Sequence, residues 1–196
     1  MASSTRWYGA LETGGTTCVC AVGQGPLDIH DSVQLPTTTP TDTLRRIIDF
    51  FRQAEPDIEA LGVGTFGPVD LSPSSSTFGH LLHTPKQAWT HVDLNGHLQR
   101  VLNVPVVLDT DVNAAARAEY RLGAAQSVDT FLYLTVGTGI GGSLMINGQC
   151  LRGLLHPEMG HIHVPRAPDD TFQGTCPYHD SCLEGLASAS AIEARW

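Results

Sequence analysis

Two short glycine–threonine turns, each set between apolar segments, constrain this chain more than any other feature. The first is Thr13-Gly14-Gly15-Thr16, within residues 7–22. The second is Gly137-Thr138-Gly139-Ile140-Gly141, between residues 130–135 and 142–146. Apolar runs on both sides of a glycine turn are a hairpin pattern. Gly and Thr leave backbone N–H groups and small hydroxyls uncovered, which suits phosphate oxygens. One such turn is an ordinary hairpin loop; two, each framed by strands, point to a phosphate clamp. Neither carries the Gly-Lys-Ser/Thr ending of a P-loop or the strand–helix setting of a dinucleotide fingerprint. The echo of strand, turn and strand implies two related half-structures.

The rest of the chain alternates helix and strand signals, as an α/β fold requires. Residues 41–54 read as an amphipathic helix capped by Thr41 or Asp42, with Leu44, Ile47, Ile48 and Phe51 on one face. Residues 60–65 read as a buried strand ending at Gly67-Pro68, and residues 70–89, rich in Ser, Thr, Pro and Gly, as a long functional loop. A helix over 93–102, a strand over 105–108 and a helix over 113–122 follow. A final helix is expected over 188–195; its apolar period runs to the last residues without a Gly or Pro stop signal.

With 41% hydrophobic and 16% charged residues, the 196-residue chain has the makings of a packed core. Its net charge of −9, with no Lys/Arg block, argues against nucleic acid or an anionic membrane as partner. A nucleotide can still bind through backbone amides and a magnesium ion. No apolar run is long enough to span a bilayer, and residues 1–7 lack the apolar centre of a signal peptide, so a cytoplasmic protein is expected. The odd cysteine count (Cys18, Cys20, Cys150, Cys176, Cys182) then favours thiols and metal ligands over disulfides.

Two segments bear chemistry beyond the turns. In Leu108-Asp109-Thr110-Asp111-Val112-Asn113, two carboxylates stand where a strand gives way to a helix, the edge at which open α/β sheets place ligands. Asp109 reads as a cap for that helix. Asp111 stays open between a cap and a general base for a substrate hydroxyl. Further on, Cys176-x-x-His179-x-x-Cys182 offers three zinc ligands in a Gly/Pro-framed loop. An upstream His completes a closed, hence structural, tetrahedron. His161 is the first choice; His156 and His163 compete, and spacing does not separate them.

Together these segments resemble the ROK family of sugar kinases and repressors, most closely its bacterial fructokinase branch. The resemblance spans nearly the whole chain. It is carried by Leu11-Glu12-Thr13-Gly14-Gly15-Thr16, Gly64-Thr65-Phe66-Gly67-Pro68-Val69-Asp70, Thr84-Pro85-Lys86-x-x-Trp89 and Asp109-Thr110-Asp111-Val112-Asn113. Further on come Thr135-Val136-Gly137-Thr138-Gly139-Ile140-Gly141-Gly142, His156-Pro157-Glu158-x-Gly160-His161 and Gly174-x-Cys176-Pro177-x-His179-x-x-Cys182-Leu183-Glu184-Gly185. The last string looks like the fructokinase form of the zinc loop; other branches commonly have Cys where this chain has His179.

The resemblance implies an actin-like (hexokinase, ribonuclease H-like) α/β fold of two lobes, residues 1–115 and an incomplete 116–196, with the zinc loop over 156–184. It implies ATP-dependent phosphorylation of a hexose, D-fructose first, in a cleft between the lobes. Asp111 is then the general base. Gly67, Thr84, Glu158, His161 and Glu184 contact the sugar. Gly14, Gly15, Thr16, Gly137, Thr138 and Gly139 hold the ATP phosphates. Zinc sits on His161, Cys176, His179 and Cys182, magnesium arrives with ATP, and a homodimer is a common family assembly.

The chain departs from the family pattern at Thr17, where Lys is usual, so a cation near the phosphates is missing unless Lys86 or an Arg substitutes. Family members also continue well past the position of Trp196. These departures keep a second reading in play, a weakly active or inactive sugar-binding protein or fragment. A repressor of the same family is disfavoured because the first strand starts too soon for a helix-turn-helix module.

Overall fold

The computed structural model describes residues 6–153 and 155–196, in two compact units, Met1–Ala114 and Ala115–Trp196. The first unit is built on a five-stranded sheet ordered β3-β2-β1-β4-β5. β1 (Tyr8–Thr13), β2 (Thr17–Gly25) and β3 (Asp28–Pro36) form an antiparallel meander. β4 (Ala60–Thr65) and β5 (Val106–Thr110) run parallel to β1. The connections into the parallel strands contain α1 (Pro40–Arg52) and α2 (Leu94–Leu102).

Register explains how the sheet carries both a core and a polar edge. Val33, Cys20, Leu11, Val63 and Leu108 form one continuous rung, packed with Leu44, Ile47, Ile48 and Phe51 of α1 and Leu94 and Leu98 of α2. Two residues further along, on the same face, the rung reads Leu35, Cys18, Thr13, Thr65 and Thr110. The core face thus changes from hydrocarbon to hydroxyl as the three parallel strands end. All three threonines are buried, and Thr13 Oγ1 donates to Thr65 Oγ1 at 2.7 Å.

Several boundaries differ from the sequence reading. α1 starts earlier than the expected position 41: Thr39 is its cap, accepting from Asp42 N–H at 3.3 Å, with Pro40 in the first turn where its missing N–H costs nothing. β3 was not anticipated, because it is an exposed edge strand with a bulged register against β2 and lacks a clean alternation. Residues 70–89 form the expected long loop, ending in a 3-10 turn (Gln87–Trp89) and braced by Asp70, which accepts from Ser72 N–H and Thr77 Oγ1.

The second unit holds the hairpin of β6 (Thr130–Val136) and β7 (Ile140–Ile146), extended by the short β8 (Gln149–Cys150). Its small core joins Met145 and Cys150 to Ala116 and Tyr120 of α3 (Asp111–Leu122), with Phe131 and Tyr133 packed alongside. α4 (Leu183–Ala187) and α5 (Ala189–Arg195) close the unit. No helix among the described residues is long and apolar enough to cross a membrane.

Candidate active site

In the first unit the parallel strands deliver three of the sequence-predicted segments to one sheet edge. After Thr13 comes the turn Gly14-Gly15-Thr16, after Thr65 comes Phe66-Gly67, and after Thr110 comes Asp111. The turn is drawn tight by Gly14 N–H donating to Thr17 O at 2.8 Å. Thr37 grips it from the side. Its hydroxyl donates to Gly14 O and its N–H to Thr16 O, both at 2.8 Å. Sequence reading missed Thr37; the run Thr37-Thr38-Thr39 before Pro40 was the available signal.

The junction of β5 and α3 corrects the role read for Asp109. Thr110, not Asp109, caps α3, with Oγ1 accepting from Asn113 N–H at 3.2 Å. Asp109 lies buried in the strand, where its Oδ1 accepts from Thr110 N–H at 2.9 Å and from Asn113 Nδ2 at 2.7 Å. Asp111 begins the helix, its Oδ1 accepting from Val112 N–H at 2.8 Å. Gly64 makes room for this arrangement: a Cβ there would stand 3.1 Å from Ala114 Cβ and 3.4 Å from Asp111 Cα. Thr84 is buried, and its Oγ1 accepts from Lys86 N–H at 3.4 Å.

Burial keeps the cysteines of this unit as thiols. Burial raises the Cys18 thiol, against the opposing pull of Thr37, and pushes Cys20 up to about 12.

In the second unit, His161, Cys176, His179, Cys182 and Glu184 gather through a short antiparallel pairing, while Glu158 stands beside His156. Leu183 N–H donates to Ile162 O at 2.9 Å and Val164 N–H to Ser181 O at 3.0 Å, which sets His161 beside Cys182. A 3-10 turn (Met159–His161) fixes the upstream end. Gly160 is obligatory in it, because a Cβ would run into the Ile140 carbonyl of β7. Glu158 enters the turn in the left-handed region at φ 45°, which is uncommon for a residue other than Gly. The downstream loop is bolted by Arg166, whose guanidinium donates to the carbonyls of Phe172, Gln173 and Asp180.

His161, Cys176, His179 and Cys182 place one donor atom each within 4.8 Å of one another. His161 Nδ1 lies 3.8 Å from Cys176 Sγ and 3.7 Å from Cys182 Sγ, and His179 Nδ1 lies 3.5 Å from Cys176 Sγ. Two thiolates and two imidazoles around a tetrahedral zinc ion stand about 3.6 Å apart, sulfur to nitrogen, so the donors fit that ion. The competing histidines are engaged elsewhere: His163 Nδ1 shares a 2.7 Å hydrogen bond with Ser181 Oγ, and His156 Nδ1 accepts from Glu158 N–H at 3.4 Å. Burial also raises the Cys182 thiol.

Glu184 connects this group to the second glycine turn. One carboxylate oxygen stands 3.9 Å from His161 Nε2, and the other accepts from Ile140 N–H at 2.9 Å. α5 holds the same turn: Ala189 N–H donates to Gly137 O at 2.8 Å and Ser190 Oγ to Thr138 O at 3.0 Å. Nothing in residue spacing marked these tethers.

A family model described as the ROK family matches residues 8–196. A putative fructokinase of Bacillus subtilis (strain 168) is 47% identical over 188 residues, 96% of this chain and 62% of its own length. A fructokinase of Streptococcus mutans is 41% identical over 97% of this chain and 66% of its own length. Among solved structures, a ROK family glucokinase from Streptomyces griseus in complex with glucose and AMPPNP superposes with a TM-score of 0.74. It is 31% identical and covers 95% of this chain, which in turn covers 58% of it. The chain thus has the expected α/β actin-like fold and spans less than two thirds of the length of these relatives.

Proposed function

The chain belongs to the ROK family, and on that premise we propose that it serves ATP-dependent phosphorylation of a hexose, with D-fructose as substrate. The observation that carries the choice of sugar is identity: 47% to a putative fructokinase and 41% to a fructokinase, against 31% to the glucokinase.

Phosphoryl transfer asks a protein for alignment, charge neutralisation and exclusion of water rather than covalent chemistry. In this reading Asp111 accepts the proton of the attacking sugar hydroxyl. Its place at the edge of the parallel strands, with capping duty taken by Thr110, supports that role. In the second unit Glu158, His161 and Glu184 are assigned to sugar hydroxyls, and in the first unit Gly67 and Thr84 are assigned to sugar contacts. In the turns Gly14-Gly15-Thr16 and Gly137-Thr138-Gly139 the N–H groups of Gly14 and Gly137 close the turns themselves, onto Thr17 O and Gly139 O, and the other N–H groups are offered to the phosphates of ATP; Mg²⁺ enters with ATP as part of the substrate.

His161, Cys176, His179 and Cys182 would hold zinc. When bound, zinc supplies rigidity, since four protein donors leave no open position for substrate. Were zinc held through Nδ1 of His161, Nε2 would be left on the side of Glu184, whose carboxylate stands 3.9 Å away and would help to orient the imidazole.

Thr17 favours a second reading, sugar binding without phosphorylation, because it leaves the first turn without a cation of its own. ATP turnover measured against a panel of fructose, mannose and glucose tests both. Turnover that requires a hexose, fastest with fructose, is expected. Hexose binding with no turnover would leave the second reading, and neither binding nor turnover would sink both.

A further inference from the structure

Lys86 is the only lysine in the sequence; the other ten Lys/Arg positions are arginine. Far along the chain from the first glycine turn, it nevertheless stands over it. Its Cε lies 3.7 Å from the point a Cβ on Gly15 would occupy, and its ammonium is one bond further on. Its charge also reaches the end of the turn, where it lowers the thiol of Cys18 against the larger effect of burial.

The placement is built, not incidental to a loose side chain. Thr84 Oγ1 accepts from Lys86 N–H, and Trp89 N–H donates to Lys86 O at 2.7 Å. Trp89 is itself buried against Phe66, and its Nε1 donates to Thr38 O at 3.0 Å. Thr38 directly follows Thr37, which grips Gly14 O and donates to Thr16 O. The lysine segment and the glycine turn therefore share one anchor, Thr37-Thr38, and keep their spacing together.

The turn itself offers only dipoles: amide N–H groups and the hydroxyls of Thr16 and Thr17. A nucleotide triphosphate brings several negative charges, and a cation in reach strengthens its hydrogen bonds substantially. We propose that Lys86 supplies this cation, contacting the terminal phosphates of the nucleotide at the Gly14-Gly15-Thr16 turn and replacing the charge that Thr17 does not provide. The proposal rests on the reading of this turn as an ATP-phosphate site. The bland alternative is a half-buried lysine whose stem merely covers the turn. Lysine suits the proposed task as a compact point charge for phosphate.

The test measures Mg-ATP and adenosine binding by calorimetry for the unaltered protein, Lys86→Met and Lys86→Arg. Lys86→Met is expected to weaken Mg-ATP about tenfold, the scale of a charge-assisted contact. It should leave adenosine unchanged and flatten the salt dependence, while Lys86→Arg retains most of the affinity. Because there is a single lysine, acylation of its amine followed by mass spectrometry gives a second readout on the unaltered chain. Mg-ATP should protect Lys86 and adenosine should not. Equal Mg-ATP affinity in Lys86→Met, or acylation indifferent to Mg-ATP, overturns the role of Lys86 while leaving the kinase reading intact. An unaltered protein that binds no Mg-ATP overturns the nucleotide reading and this proposal with it.

Discussion

Adding one methyl group at Gly64 tests whether Asp111 works from the position α3 assigns it. A Cβ at Gly64 would stand 3.1 Å from Ala114 Cβ and 3.4 Å from Asp111 Cα. Carbon atoms pack best at about 3.5–4.0 Å, so the first turn of α3 must retreat by about 0.5 Å. Overpacking of this kind costs roughly 1–3 kcal/mol, offset in part by about 0.4–1 kcal/mol from the stiffer unfolded chain. A misplacement of about 1 Å can cost on the order of 10² in rate, so a retreat of half that predicts about a tenfold loss of turnover. Gly62 provides the control, since it lies on the same face of β4 two residues earlier and its nearest neighbour would be Gly9 O at 3.9 Å. Gly62→Ala should therefore be neutral or slightly stabilising and fully active. Urea midpoints and hexose-dependent ATP turnover, measured for both variants, decide the matter. If Gly64→Ala matches Gly62→Ala in stability and rate, α3 is not held against β4 as described and the argument for Asp111 fails.

Asp111→Asn keeps the shape but cannot take a proton; turnover should fall on the order of 10²- to 10⁴-fold with sugar affinity kept, and near-normal turnover would show the wrong carboxylate has been chosen. Elemental analysis of protein purified without added metal should find about one zinc per chain, lost in Cys182→Ser and retained in His163→Ala; equal content in all three would refute the ligand set. Asp170 is held down to about 2 by Arg195, its bidentate partner at 3.0 and 2.9 Å, and by Phe172 N–H. A depressed carboxyl stabilises the fold above its ordinary value near 3.8, and that contribution fades as pH falls toward 2. Protection of the α5 amides, taken relative to their intrinsic exchange rates, should fall over that window, and an identical profile in Asp170→Asn would dismiss the ion pair as its cause.

Local chemistry was enough to announce the two glycine turns and the amphipathic helix that became α1. The same holds for the Cys176–His179–Cys182 loop. A turn, a 3.6-residue period and a two-residue ligand spacing are all written within a few positions. What stayed hidden depends on neighbours far along the chain. β3 pairs on one side only and is exposed, so it carries no strong alternation. The cap of α3 fell to Thr110 because Asp109 is committed within the strand, to its own neighbour's N–H and to the Asn113 side chain. That His161, rather than His156 or His163, clusters with Cys176, His179 and Cys182 follows from the pairing of residues 162–164 with 181–183, a register that spacing does not encode. Lys86 came to rest over Gly15 only because Trp89 and Thr37-Thr38 tie their two segments together. Sequence, then, determined which chemical groups were available; tertiary pairing decided which of them meet, because contacts between distant segments are set by strand register and buried anchors.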